Sequence, residues 1–239
     1  MNYIWASGTD TGLVRDGNED TVFPETAGAS PGPLLVGVAD GMGGHVAGEV
    51  ASRVAMEAAA AAPPEADETP ARRVRDANEA VLAAGEDRPE LRGMGTTMTL
   101  GRFGPDGVLE IGHVGDSRAY LLRDGDLELL TTDHTVVEEL VGLGHLSRDA
   151  AFSHPKRHLL TRSLGLGPVE VDAIDLEVVP GDRVMMCSDG LTDMVEELTI
   201  RRILAESPDP EAAVWGLIEA ANAAGGVDNV SVVVVDVTP

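Results

Sequence analysis

The sequence predicts an α+β domain built on antiparallel sheets, with helices grouped outside them. Three observations carry this. Strand-like apolar runs recur along the chain, Asp-Gly pairs at 106–107 and 124–125 stand between consecutive runs, and helical patterns cluster rather than alternating with strands. An Asp-Gly between two apolar runs is the strongest short hairpin signal, and hairpins make antiparallel neighbours. A parallel sheet would need a long crossover, usually a helix, between each pair.

Taken in order, the run "PLLVGVA" (33–39) reads as a first strand and is followed by a glycine-rich turn. An alanine-rich amphipathic stretch then predicts a helix over about 48–62. Pro63-Pro64 breaks it, and a second helix restarts at Pro70 and runs to about 84. The runs 96–103 and 107–114 form one predicted hairpin, and 118–123 with 126–131 a second. A helix at about 134–143 precedes the strand 182–187, helices at about 195–206 and 210–224, and the final strand "VSVVVVDV" (230–237). There is neither a repeat nor a linker, so residues 1–239 read as a single domain.

Composition narrows the function. Seventeen Lys+Arg against 41 Asp+Glu give a formal charge of −24. Such a surface repels nucleic acid and anionic lipid and suits divalent cations wherever carboxylates converge. Aromatics are 3% against 43% hydrophobic residues, so the core is aliphatic. The lone Cys187 excludes an internal disulfide or a Cys-rich zinc site and fits a reducing compartment. No apolar run reaches the ~18 residues of a membrane span, and the first residues lack a signal-peptide pattern. The expectation is a cytoplasmic protein with no membrane segment in this chain, although an anchor elsewhere in a longer protein would not show here.

Most Asp-Gly pairs are turns, and Asp16-Gly17, Asp106-Gly107 and Asp124-Gly125 read that way. Four acids differ. Asp40, Asp116 and Asp189 each close an apolar strand, and Asp228 stands just before one. Each is carried into the rim of the core, where an unpaired charge is costly. Neighbouring antiparallel strands can bring Asp228 beside Asp189. Clustered carboxylates need a cation, and oxygen donors select Mg²⁺ or Mn²⁺.

The turn after Asp40, "GMGGHVAG", does not hold a nucleotide. G-x-G-x-x-G would need glycine where Val46 stands, and no P-loop Lys-Ser/Thr follows. Its glycines instead allow a tight turn and offer a carbonyl oxygen. In "GLVRDGNED", Arg15 suits bidentate grip on a phosphate, or it pairs with nearby acids. Cys187 is not a tyrosine-phosphatase nucleophile, since the arginine expected six residues on is Asp193. His113 and His134 read as structural, and Thr96 and Thr97 as strand packing.

The blocks "GLVRDGNEDT", "VADGMGGHVAGEVAS", "MGTTMTL", "GHVGDSRAYLL", "HPKRHLLTRSLG", "MMCSDGLTD" and "DNVSVVVVD" occur in order over about residues 5–237. Together they resemble the PPM (type-2C) metal-dependent serine/threonine protein phosphatases, in their bacterial branch. The resemblance implies a four-layer αββα sandwich of two antiparallel sheets flanked by helices on both sides. It implies two to three Mn²⁺ or Mg²⁺ ions. Asp40 would bridge two of them with the Gly41 carbonyl on one, Asp189 and Asp228 would complete the other, and Asp116 with Asp189 would hold a third. Arg15 would bind the substrate phosphate, while Glu19 and Asp20 would lie behind the ligands and hold their waters. The reaction implied is hydrolysis of phosphoserine and phosphothreonine by a metal-bridged water or hydroxide, without a covalent intermediate.

Departures from the family pattern matter. Met42 stands where animal members carry histidine, so His45 becomes the candidate general acid. His158 stands where bacterial relatives often carry asparagine, within a flap expected at about 133–166. The expected partners are phosphoproteins, with a bacterial serine/threonine kinase and its substrates foremost, acted on by a monomer. The alternatives are a silent pseudophosphatase acting as a phosphoprotein-binding module, and a phosphatase of small phosphomonoesters or of an anti-sigma-factor switching system.

Overall fold

The computed structural model describes residues 1–239 apart from 44, 45, 67 and 153 and the side chains of 149 and 152. The most apolar segment organises the rest. Strand β12 (Val230–Thr238) is buried along nearly its whole length, and its side chains alternate between two cores. Val232 and Val234 point to a helical layer, whereas Val233 and Val235 point between two sheets. A strand covered on both faces gains from valine at every position, which explains the run.

Around β12 the first sheet has the order β3 (Gly28–Ser30), β1 (Asn2–Asp10), β12, β11 (Arg183–Cys187), β8 (Arg118–Arg123), β9 (Asp126–Leu129). The second runs β10 (Asp172–Glu177), β7 (Val108–Val114), β6 (Met98–Phe103), β4 (Leu34–Met42), β2 (Asp20–Phe23), with β5 (Gly95–Thr96) also on β4. These pairings are antiparallel. Helices α1 (Val46–Ala60) and α2 (Pro70–Asp87) cover the second sheet through Ala51, Ala55, Met56, Val74 and Ala77. Helices α6 (Glu197–Glu206) and α7 (Pro210–Ala223) cover the first through Ile200, Leu204, Leu217 and Ile218. The result is the αββα sandwich. The short helices α3 (Val136–Gly142) and α4 (Arg148–Phe152) lie in the 133–166 segment, and α5 (Asp189–Thr192) follows β11.

Both predicted hairpins form. Asp124 and Gly125 take positive φ (53° and 85°), the pairing a two-residue turn between β8 and β9 requires, and Gly107 (87°) lies in the β6–β7 turn. Local sequence does not mark β1, β2, β3 and β10 as strands. Their runs are short, polar or glycine-bearing, and pairing with β12, β4, β1 and β7 makes them strands. Asp40 does not end its strand. β4 continues to Met42, held by Gly41 N–H donating to the Glu19 carbonyl (3.1 Å) and by β5.

Candidate active site

The acids converge where loops pass between the sheets. Asp40, in β4, faces Asp20 of β2 in register. Asp116 occupies the turn that carries the chain from β7 in the second sheet to β8 in the first, with Gly115 at φ 111°. Asp189 opens α5 directly after β11, and Asp228 stands before the neighbouring β12. Gly190 makes that approach possible, because a Cβ there would collide with the Asn229 carbonyl. At Gly41 a Cβ would strike the backbone oxygens of Glu19 and Gly48, so the loop after Asp40 closes only around glycine. Expected as a backbone ligand, Gly41 is therefore also a packing requirement.

Asp40, Gly41, Asp116, Asp189 and Asp228 floor a cleft of about 340 Å³, with Arg15, Glu19, Thr97, His158, Leu160 and Asn229 on its walls. Arg15 and His158 are its basic side chains among the described residues. Arg15 Nη2 donates to Asp228 Oδ2 at 2.7 Å and is half exposed. A smaller cavity of about 140 Å³ adjoins the cleft and shares Asp116, His158 and Asp189 with it.

Electrostatics mark the cluster as frustrated. Burial, then the charges of Asp189 and Asp228, raise the Asp20 carboxyl to about 7, although the Ser188 hydroxyl donates to its Oδ2 at 2.8 Å. Asp20 Oδ1 is buried and has no protein partner. Burial and the charges of Asp20, Asp189 and Asp116 push Asp40 well above the carboxylate range. Asp116 is raised likewise, by burial and by Asp189. Asp189 reaches about 6 through burial and the charges of Asp193 and Asp228. Proteins rarely leave so many partly or fully buried acids facing one another. An all-oxygen donor set with an orphaned buried carboxylate oxygen fits hard divalent cations such as Mg²⁺ or Mn²⁺.

A hydrogen-bond frame fixes the acids. Asp40 N–H donates to Thr97 Oγ1 (3.0 Å), which meets Ser117 Oγ at 2.7 Å beside Asp116. Ser231 N–H donates to Ser188 Oγ, the group that binds Asp20. Asn229 donates through Nδ2 to the carbonyls of Thr11 and Gly17 and accepts from Glu19 N–H. It thereby ties the Arg15 loop to Asp228. Thr97 is thus more than strand packing, which corrects the expectation from β propensity. Hydroxyl-to-backbone bonds between distant segments leave no trace in sequence spacing.

Sequence reasoning also missed His158 as a cleft residue and Asp193 in the adjoining cavity. His158 Nδ1 lies 3.1 Å from Asp193 Oδ2 and 4.0 Å from Asp189 Oδ2, and Arg157 approaches Asp193 at 3.7 Å. Asp193 follows Asp189 by four, one helical turn, and that spacing was the available signal. His45 lies outside the described residues. His113 is fully buried between Thr99 Oγ1 (2.9 Å) and the Thr132 carbonyl (3.1 Å). His134 accepts from Gly115 N–H at 3.1 Å and meets Asp172 Oδ2 at 3.1 Å, so both histidines are structural. Burial lifts the Cys187 thiol to about 12, which leaves it inert.

Fold and site together define an αββα sandwich with a carboxylate-floored, arginine-gated cleft at one end. The protein phosphatase 2C family model matches residues 15–214, and the chain belongs to that family. It is 44% identical over 241 residues to the serine/threonine protein phosphatase PstP of Mycobacterium tuberculosis, covering 98% of this chain and 45% of that one. The chain thus spans about half the length of that curated relative. It is 39% identical over 240 residues to the serine/threonine phosphatase stp of Listeria monocytogenes, covering 95% of this chain and 93% of that one. The crystal structure of the M. tuberculosis phosphatase PstP/Ppp superposes with a TM-score of 0.91 at 42% identity over the full length of both chains. The PstP catalytic domain solved in complex with two manganese ions superposes at 0.88 with 41% identity, again over both full chains.

Proposed function

We propose that this chain is a metal-dependent protein phosphatase domain that hydrolyses phosphoserine and phosphothreonine. The observation that carries the reading is the set of partly buried, mutually repelling carboxylates beside a half-exposed arginine. The names of its relatives, and the two manganese ions of the mycobacterial catalytic domain, support it. Asp40, Asp116, Asp189 and Asp228 with the Gly41 carbonyl would hold two or three Mn²⁺ or Mg²⁺ ions. Such ions supply Lewis-acid chemistry, neutralising phosphoryl charge and making water a competent nucleophile near pH 7.

The chain's own residues do the rest. Arg15 turns its guanidinium from Asp228 to the phosphoryl oxygens, where its planar fork binds two at once. Thr97 holds the Asp40 backbone, Ser188 holds Asp20, and Asn229 keeps the Arg15 loop against Asp228, so the cleft is organised before substrate arrives. Glu19 and Asp20 orient water from behind the ligands. With Cys187 buried and protonated, transfer proceeds directly to water. His45 remains our candidate to protonate the leaving oxygen.

The proposal extends to a single catalytic domain over 1–239 with 133–166 as its flap, acting as a cytoplasmic monomer opposite a serine/threonine kinase. Among the described residues no helix is long and apolar enough to cross a membrane. The silent pseudophosphatase finds no support, because the four acids expected to hold metal, Asp40, Asp116, Asp189 and Asp228, line the cleft together with Arg15. The test is phosphate release from a phosphothreonine peptide with Mn²⁺, with EDTA, and by Asp189→Asn in Mn²⁺. Release should require the metal and collapse in the variant. Release that survives EDTA would sink the reading.

A further inference from the structure

The turn that presents Asp116 to the cleft is held from two sides. On one side Thr97 packs so closely on Gly115 that a Cβ there would stand 2.5 Å from Thr97 Cγ2. On the other stands the buried His134, which pairs with Gly115 in both directions. Its backbone N–H donates to the Gly115 carbonyl at 2.8 Å, and its Nδ1 accepts from the Gly115 N–H at 3.1 Å. An accepting Nδ1 places the ring hydrogen of the neutral imidazole on Nε2. That hydrogen faces Asp172 Oδ2 at 3.1 Å, while Arg162 Nη1 donates to Asp172 Oδ1 at 2.8 Å. The ring is therefore aligned at both nitrogens, and its centroid lies 4.9 Å from that of His113.

His134 also joins the two ends of the 133–166 segment. Its carbonyl accepts from Thr161 N–H at 2.8 Å, and Val136 N–H donates to the Leu159 carbonyl at 2.9 Å. Between those bonds sits Leu160, in the wall of the cleft. Gly115, at φ 111°, has no side chain to anchor its own peptide, so its bonds to His134 fix the direction in which Asp116 leaves the turn. The bonded N–H belongs to the residue just before Asp116, and a tilt there reaches the carboxylate through a single residue.

We propose that His134 is a positioning residue that, by accepting from Gly115 through Nδ1, aims the Asp116 carboxylate at the ion Asp116 and Asp189 would share. The proposal rests on the phosphatase reading above and adds to it the residue that sets one ligand from behind. Partners of this kind orient a ligand before the ion arrives, and their loss typically weakens metal binding ten- to a hundredfold.

The test is calorimetric titration with Mn²⁺, with thermal melts to confirm folding, on the intact chain, Asp116→Asn, His134→Phe, His134→Asn and the double variant Asp116→Asn/His134→Phe. Asp116→Asn should remove one Mn²⁺ step. His134→Phe, which keeps a ring without an acceptor, should weaken that same step about tenfold and leave the others within about twofold. His134→Asn returns an acceptor near the Nδ1 position and should recover the step to within about threefold. The double variant should titrate as Asp116→Asn does, because the histidine acts through that acid. If His134→Phe does not fold, Asp172→Ala decides at a partly exposed position, and should weaken the step about threefold. A lower melting temperature with every Mn²⁺ step unmoved overturns the proposal, as does a further loss in the double variant or an Asn variant as weak as Phe. Equal titrations for the intact chain and Asp116→Asn also overturn it, while leaving a phosphatase that works with the remaining ions. An intact chain that neither binds Mn²⁺ nor releases phosphate from a phosphothreonine peptide is instead the failure of the phosphatase reading, and the proposal falls with it.

Discussion

The two ends of strands β8, β11 and β12 treat acids in opposite ways. At the far end Asp182 and Asp236 each have an arginine. Arg123 donates to both oxygens of Asp182 (2.8 and 2.6 Å), whose side chain is 1% exposed, and Val179 N–H adds a third bond. Burial alone would raise the Asp182 carboxyl, but these bonds outweigh it and hold it below its ordinary value. Arg183 grips Asp236 in the same forked way (2.6 and 2.8 Å). At the cleft end Asp116 and Asp189 have acids as neighbours and are pushed up. The same strands thus carry a satisfied end that holds the sheet and a frustrated end that waits for cations. Buried charge is tolerated either by pairing or by use.

The comparison breaks most visibly at Asp189. Asp189→Asn should lower kcat about 10³-fold in Mn²⁺ while leaving the metal-free protein at least as stable, because it removes a repelling charge. Activity and thermal melts on one preparation check both halves. Equal loss of stability would mean that Asp189 is paired structurally, like Asp182. Next in size, Arg15→Ala should lower kcat/KM for a phosphopeptide about 10²-fold, with Mn²⁺ affinity by calorimetry little changed. At the satisfied end Asp182→Ala should cost about 2 kcal/mol of unfolding free energy, discounted because Arg123 is half exposed, with kcat per folded molecule unchanged. Urea titration reads it.

The smallest effect is in pH. A carboxyl whose folded pKa is raised contributes stability below its unfolded value near 4 and loses it as pH rises through the folded value. For Asp189 and Asp20 that loss falls through about 6 and about 7. The metal-free protein should therefore melt at lower temperature at pH 8 than at pH 5.5, and Asp20→Asn should flatten the trend. Mn²⁺ should raise the pH 8 melting temperature, since the ionised cluster binds cations. Asp182, lowered instead, contributes stability that is lost only as pH falls below the ordinary Asp value.

Much of this was legible beforehand because it is local. Asp-Gly hairpins, the Pro63-Pro64 break and the valine run of β12 each express a short-range rule. The strands β1, β2, β3 and β10 were not legible, since their order comes from partners far along the chain. Asn2, for example, pairs with Thr238. The aspartates could be named from their places beside apolar strands and from the motif order. Thr97, Ser188 and Asn229 could not, since each acts across a gap in sequence, and Asp193 offered only its four-residue spacing from Asp189.

The sequence by itself determined the antiparallel hairpins, the grouping of helices outside the sheets, the aliphatic core and the chemistry of the donor set, because periodicity, turn residues and side-chain type are properties of short segments. Tertiary structure decided which acids face one another and which meet an arginine. Asp182 and Asp189 are seven positions apart at opposite ends of one strand, and no feature of their local sequence separates a stabilising ion pair from a candidate metal ligand. That distinction depends on which charges other strands bring within a few ångströms, in a medium too poorly polarisable to screen them.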